Sequence, residues 1–547
     1  GLCSPGCYPS LPPPRQSTGQ QADSAMPAAP SMAGPPQKSG TDMGRRAQLG
    51  AQSPAARARG RGELQPHKPE VEQEPSLTTV MLLCAVCMME GVDTHLLMAA
   101  KFALQKDIGF GLTDLAYLTV AQGVAINVAA PLWGILADRG ILRRRTILAI
   151  GTFGQGIVTI GLALPTQLWP MIGLRALVGA VLAALRPISN GVIADTTSER
   201  HRGKIFGQVN FALMMGKTLS AILVGTMSRK TILGISGWRV AFFVIGALAT
   251  AVAVLVALLL EEPDTVLKRQ ASTLSSHARS VAQERIDCAA VVVEEVRELF
   301  SFLTIPTFCV MVVQGIFGTI PWTIMGNMML YFQLCGINDT KSSILTGWQP
   351  AASAFGNLIG GYIADFLARQ CGPSGRAVNA QVTVAIGIPT IWMVFGGIAA
   401  GEGSFGLYFA LIAAFGLLGS WAQSGTNFPI LSEIVPACSR SRVMAWEAAL
   451  ENSIANLLGP PLVTLLATET FGYTFDEETA TGKDLDSAMA LGRAMQATIC
   501  LPWCVTLAAY TLLHWSYPRD LRCMEERRQM EERQHGEMTV PEVRSYL

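Results

Sequence analysis

Charge is what this 547-residue sequence has least of: Asp, Glu, Lys and Arg make up 15% of it, against roughly 25% in soluble globular domains. The few charges nearly cancel, at a formal +1, which leaves no field to draw nucleic acid or an acidic partner. There are six histidines, too dispersed for a metal site, and no Gly-rich loop ending in Lys-Ser/Thr to hold a nucleotide phosphate. The twelve cysteines are scattered without even spacing. Cys84 and Cys87 lie inside an apolar run, where packing explains them. These absences argue against an enzyme, a bound cofactor and a resident metal.

What is present is apolar. Half of the residues are hydrophobic and the mean hydropathy is +0.35, concentrated in runs long enough to cross a bilayer, roughly 20 residues each. Such a chain reads as an all-α polytopic membrane protein. Spans are expected near 77–100, 113–137, 143–165, 168–194, 203–227 and 236–260, then near 303–333, 341–368, 376–400, 404–435, 441–468 and 488–516. They form two sets of six. The organisation predicted is a Pro/Gly/Ser-rich disordered tail over 1–75, a six-helix bundle over 76–260, a linker over 261–302, a second bundle over 303–517 and a tail over 518–547. Within the linker, Ile286, Ala289, Val293, Val296 and Phe300 recur at helical spacing, which predicts a surface-lying amphipathic helix.

Two hairpins carry the organisation. Gly134-Ile-Leu-Ala-Asp138-Arg139-Gly140, followed by Arg143–Arg145, joins spans 2 and 3. Gly361-Tyr-Ile-Ala-Asp365, followed by Arg369 and Arg376, joins spans 8 and 9. Asp138 and Asp365 stand 227 residues apart, so one charged hairpin recurs at the same slot of each half, the mark of a two-bundle transporter. Short loops rich in Lys and Arg stay cytoplasmic. The even-numbered loops carry Arg143–Arg145, Arg200–Lys204, Arg369–Arg376 and Arg440–Arg442. That alternation predicts twelve spans with both tails inside.

The hairpin and its repeat, Arg175-Ala-Leu-Val-Gly179 and Gly237-Trp238-Arg239 together resemble the major facilitator superfamily. The resemblance runs over about 77–517. Met89-Glu90-Gly91-Val92-Asp93, Thr304-Ile-Pro306-Thr307-Phe308, Gly318-Thr-Ile-Pro321-Trp322 and Pro429-Ile-Leu-Ser-Glu433 resemble its spinster-like group, in particular the plant and algal branch. Two positions depart from the animal and bacterial members: Thr94 follows Asp93, and Leu182 stands where span 4 would carry a glutamate. The resemblance implies alternating access by a monomer, with an amphiphilic lipid or organic anion as cargo and a proton as coupling ion. Export of small metabolites or drugs, and a non-transporting receptor or scaffold on the same fold, are the competing readings.

An ionisable group in mid-bilayer costs roughly 2.5–3.5 kcal/mol or more, so each one needs a reason. Glu90 and Asp93 on span 1, Arg175 on span 4 and Lys217 on span 5 fall in a deep layer and are the candidate proton- and substrate-binding residues. Arg186 on span 4 and Glu447 and Glu451 on span 11 fall nearer the cytoplasmic end. They are candidate gating residues, with Asp138, Arg139 and Asp365 of the hairpins. An Arg186–Glu451 bridge between the halves is expected when the molecule closes on that side. Gln314, Asn327, Gln423 and Asn427 are candidate polar groups of the cavity.

Overall fold

Ser76 and Gly109 bracket the first helix. The Ser76 side chain accepts a hydrogen bond from the Thr79 N–H, and Gly109 ends the helix at φ +82° with its N–H on the Gln105 carbonyl. Span 1 is therefore Leu77–Ile108, about two turns longer than hydropathy predicts, because Lys101 lies inside it rather than beyond it. The computed structural model describes residues 76–138, 142–197, 199–260, 296–436, 439–475 and 484–538. The N-terminal tail, most of the linker, Arg139 and the last residues of the C-terminal tail lie outside them.

Span 2 is Leu112–Asp138, span 3 Arg144–Leu162, span 5 Glu199–Met227 and span 6 Gly237–Leu259. Span 4 is two helices, Leu168–Leu182 and Leu185–Thr196. The break has a local cause: Pro187 has no N–H to give the Ala183 carbonyl, so one helical bond is missing there. Between spans 5 and 6 a two-residue hairpin pairs Thr231 with Ser236, turning at Leu233 and Gly234 with φ of 53° and 80°.

In the second set, span 7 runs Pro306–Ile324 and continues as Met328–Leu334, with proline at its first turn. Span 8 is Asp339–Cys371, started by the Asn338 side chain accepting from the Lys341 N–H. Span 9 is Ser374–Trp392. Span 10 runs Phe405–Leu418 and resumes as Phe428–Glu433 after a π-turn at Gln423–Asn427. Span 11 is Arg440–Leu465 and span 12 is Leu485–Met538. Nine of the described helical stretches are long and apolar enough to cross a membrane. Spans 8, 10 and 11 fall short of that measure because of their polar openings, breaks and internal acids. Span 12 does not stop at Pro518; the Glu, Arg, Gln and Met residues that follow are strong helix formers and carry it on.

Helix pairing repeats with a shift of six. Spans 1 and 5, 2 and 4, and 3 and 6 pack closely in the first set; spans 7 and 11, 8 and 10, and 9 and 12 do so in the second. Between the sets, span 5 lies on span 8 and span 2 on span 11, which are again equivalent pairs. The close pairs depend on glycine. A Cβ on Gly91 would overlap the Leu213 carbonyl, and one on Gly216 would overlap the Met88 carbonyl, so spans 1 and 5 touch backbone to backbone.

We expect Gly216→Val to destabilise the protein by on the order of 3 kcal/mol, near the top of the range for overpacked cores. Gly361→Ala faces open space and serves as the control. Thermal unfolding of both variants in nanodiscs measures the contrast, and equal midpoints would contradict it.

Candidate functional site

The end of the molecule carrying Arg143–Arg145 is called here the arginine-rich end, and the opposite one the far end. Polar contacts between the two halves gather at the far end. Lys101 Nζ on span 1 donates to Asn327 Oδ1 between the two parts of span 7, at 2.5 Å. Arg229 and Asp339 form an ion pair at 3.0 Å from the end of span 5 to the start of span 8. The Arg229 guanidinium also lies 4.3 Å from the centre of the Phe102 ring. Tyr473 donates to Gln105 at 3.2 Å, and Phe475 meets Phe102 edge to face. Lys101 and Asn327 are both buried, so this is a lid with a desolvated centre.

Beneath the lid lies a cavity of about 560 Å³, within the usual range for small-molecule sites. Its walls differ in chemistry. The first half contributes His95, Met98, Arg186, Asn210, Met214 and Lys217. The second half contributes amides at Gln314 and Gln349, the carboxyl of Glu451, Tyr510, and the indoles Trp322 and Trp503. The indoles form an aromatic ledge backed by buried Phe415: Trp322 is 5.7 Å from Phe415 and 6.2 Å from Trp503, and Phe415 stacks on Trp503 at 5.8 Å. Both cations lie on one wall. The ledge lies on the other.

Of the four residues expected to bind proton or substrate, Lys217 lines the cavity. Glu90 stands behind the wall and holds Arg186 Nε at 3.1 Å, so a residue assigned to the deep layer contacts one assigned to the shallow layer. The long Arg186 side chain closes a gap that counting helix rise leaves open. Asp93 is fully buried. It accepts from Gln122 Nε2 at 2.9 Å and Thr159 Oγ1 at 3.3 Å, with Arg175 as the opposite charge nearby. Arg175 is likewise buried, and its Nε and Nη1 have no hydrogen-bond partner among the described residues. Glu90 is thus ion-paired with Arg186, whereas Asp93 is held by two neutral donors with Arg175 nearby.

Arg186 and Glu451 face the same cavity from opposite halves, with Arg186 engaged to Glu90 in this conformation. Glu447 is sealed behind Glu451. Gln314 and Asn427 line the cavity, whereas Asn327 belongs to the lid. The Gln423 and Asp138 side chains and Arg139 fall outside the described residues. Asp365, at the arginine-rich end, lies 3.7 Å from Arg376, which also holds Glu433 at 3.1 Å and the Gly425 carbonyl at 3.3 Å. That carbonyl is free because Pro429, four residues on, has no N–H for it. In the linker, the stretch 296–302 is helical, with Glu298 buried against Arg442 of span 11 and Phe300 exposed on the other side.

The model of the Major Facilitator Superfamily matches residues 81–460. The chain belongs to that superfamily. It is thus an all-helical, integral, multi-pass membrane protein with the twelve-helix fold, in a family of transporters and not of enzymes. Among curated proteins it is 26% identical over 168 residues to the multidrug resistance protein MdtG of Proteus mirabilis, covering 29% of this chain and 39% of that one. It is 27% identical over 138 residues to the triacylglyceride transporter of Mycobacteroides abscessus, covering 25% of this chain and 26% of that one. The chain thus spans well under half the length of these relatives. Among solved structures, a bacterial homologue of the human lysosomal transporter Spinster, inward-facing and unoccupied, superposes with a TM-score of 0.64 at 17% identity. That match covers 82% of this chain and 99% of the other. A D-xylose–proton symporter superposes at 0.58 with 15% identity, over 80% of this chain and 97% of the other.

Sequence reasoning missed His95, Lys101, Trp503 and Tyr510. His95 was legible, two residues beyond Asp93 on a span already marked by charge. Trp503 and Tyr510 sit in an apolar run and carry no local signal.

Removing Asp93 strands the buried Gln122 amide and Thr159 hydroxyl that it accepts from and removes the negative charge near Arg175, a loss of roughly 3 kcal/mol. The Glu90–Arg186 pair has Arg186 about half exposed and is worth at most about 1 kcal/mol. Thermal stability is therefore expected to fall far more in Asp93→Ala than in Glu90→Ala. A reversed order would contradict this assignment of partners.

Proposed function

We propose that this member of the superfamily is a spinster-like secondary transporter that carries an amphiphilic anion by alternating access. The observation behind the reading is the split cavity: Arg186 and Lys217 on one wall, and the indoles of Trp322 and Trp503, backed by buried Phe415, on the other. Lys217 makes no ion pair or hydrogen bond among the described residues, so its ammonium is available to an anionic head group. The aromatic ledge suits an apolar chain. The lid shuts the far end, leaving exchange with the arginine-rich end, which the positive-inside rule assigns to the cytoplasm. Buried Asp93 is the group proposed to couple the cycle to protons. Rocking of the halves about the cavity would part the lid and bring Arg186 toward Glu451.

A second reading, export of cationic drugs, draws on the local similarity to MdtG and on the carboxyl of Glu451 in the cavity. The two readings differ in the charge of the cargo. In proteoliposomes containing the full chain, uptake of single-chain anionic amphiphiles should exceed that of organic cations. Lys217→Ala should cut that uptake at least tenfold. Preference for cations, unaffected by Lys217→Ala, would favour the drug exporter.

Orientation has its own check. A cysteine placed at Ser275 in the linker should resist membrane-impermeant maleimide in intact cells and react after permeabilisation. Labelling from outside would reverse the topology.

A further inference from the structure

Glu447 and Glu451 are four residues apart on span 11, so they share one helix face. Glu447 is 0% exposed and Glu451 6%. Neither oxygen of Glu447 has a hydrogen-bond partner among the described residues, and no ion pair there reaches either carboxyl. Glu451 alone lines the cavity. Its contacts are amide and backbone: Asn452 Nδ2 lies 3.5 Å from Oε1, and Gly315 of span 7 packs so tightly that a Cβ there would overlap Oε2.

The helices around span 11 supply no compensating cation at this depth. Span 12 presents Tyr510, whose hydroxyl is committed to Asn427 Oδ1 at 3.0 Å. Span 7 presents Gln314, which donates to its own Met311 carbonyl at 2.9 Å. Span 2 presents Gly123, against Asn456. The acid on span 10, Glu433, is held by Arg376. The cations Arg186 and Lys217 lie across the cavity on the other half. Two carboxylates one helical turn apart, one of them sealed and neither with a counter-ion among the described residues, cannot both stay ionised.

We propose that Glu447 and Glu451 form a second proton-binding site, in the C-terminal half, that opens on the cavity through Glu451. The ligand is a proton because nothing larger reaches the inner carboxyl: Glu447 is sealed, and Gly315 leaves no room beside Glu451. Loading is a plain transfer. A hydronium ion in the cavity gives its proton to a carboxylate oxygen and leaves as water, and release is the reverse. One proton shared by the pair lowers its net charge from two to one.

The test reads the proton itself and needs no cargo, so it stands or falls apart from the transport reading. Infrared difference spectra of the purified full chain in nanodiscs, recorded at neutral pH, should contain a protonated-carboxyl C=O band that shifts in D₂O. Glu447→Gln and Glu451→Gln should each remove or displace that band, and Asp93→Asn should leave it. Two single variants of near-identical shape guard against misfolding in either one, and size-exclusion profiles confirm each. A spectrum without the band at neutral pH, or a band indifferent to both substitutions, overturns the proposal. Loss of the band when choline chloride is exchanged for sodium chloride overturns it too, because the pair would then be a sodium site.

Discussion

Hydrocarbon does not tolerate an uncompensated charge, and the placement of every intramembrane ionisable group in this molecule answers to that constraint. In the first half the solution is pairing. Asp93 is buried with Arg175 nearby and two hydrogen bonds on its carboxylate, and Glu90 holds Arg186 at 3.1 Å. At the far end, Arg229 meets Asp339 across the halves. Three places among the described residues escape that rule: Lys101 in the lid, which has only the neutral Asn327 amide, Lys217 on one cavity wall, and the carboxyl pair behind the other. A transporter needs such exceptions, because a group fully satisfied by the protein has nothing left to offer a cargo or a proton.

The close packing that holds these charges in place comes from the smallest side chains. Glycines at 91 and 216 let spans 1 and 5 meet backbone to backbone, and Gly459 of span 11 makes room for the Thr323 side chain of span 7. These are equivalent pairs in the two halves, so the repeat extends to how the helices approach each other. Rigid pairs of this kind leave motion to the contacts between halves. There the lid is polar, with Lys101 bound to a neutral amide, and a neutral partner is surrendered more readily than a buried counter-charge.

The sequence made the fold legible because the hydropathy runs and the repeated Asp138 and Asp365 hairpins are long-range regularities that single residues do not disturb. Span ends were less legible. Lys101 reads as an exit from the bilayer, yet the structure buries it in the lid. Pro518 reads as a stop, yet the helix passes through it. The site was legible where charge marked it, as at Lys217, Arg186 and Glu451, but not where it is aromatic. Trp503 is one apolar residue among many until span 12 packs beside span 7. Counting helix rise placed Glu90 and Arg186 in different layers, because such counting follows backbone and ignores the reach of an arginine.

The asymmetry between the halves follows from the same constraint. Span 1 and span 7 occupy equivalent positions, yet span 1 carries Glu90, Asp93, His95 and Lys101, whereas the facing stretch of span 7 carries Gln314, Thr319, Trp322 and Asn327. The second half places its charge on span 11 instead, where span 5 is its counterpart and carries Lys217. Spans 5 and 11 thus present opposite chemistry, the amine of Lys217 and the carboxyl of Glu451, to the space between them, with Glu447 behind. Any rocking of the halves changes the distance between that amine and those acids. The Coulomb energy of such a pair rises as water leaves, so under the proposed function closure around the cavity would alter protonation at span 11 and the hold of span 5 on an anion together. Cargo and proton then need not share a residue to be coupled; they need only share the cavity.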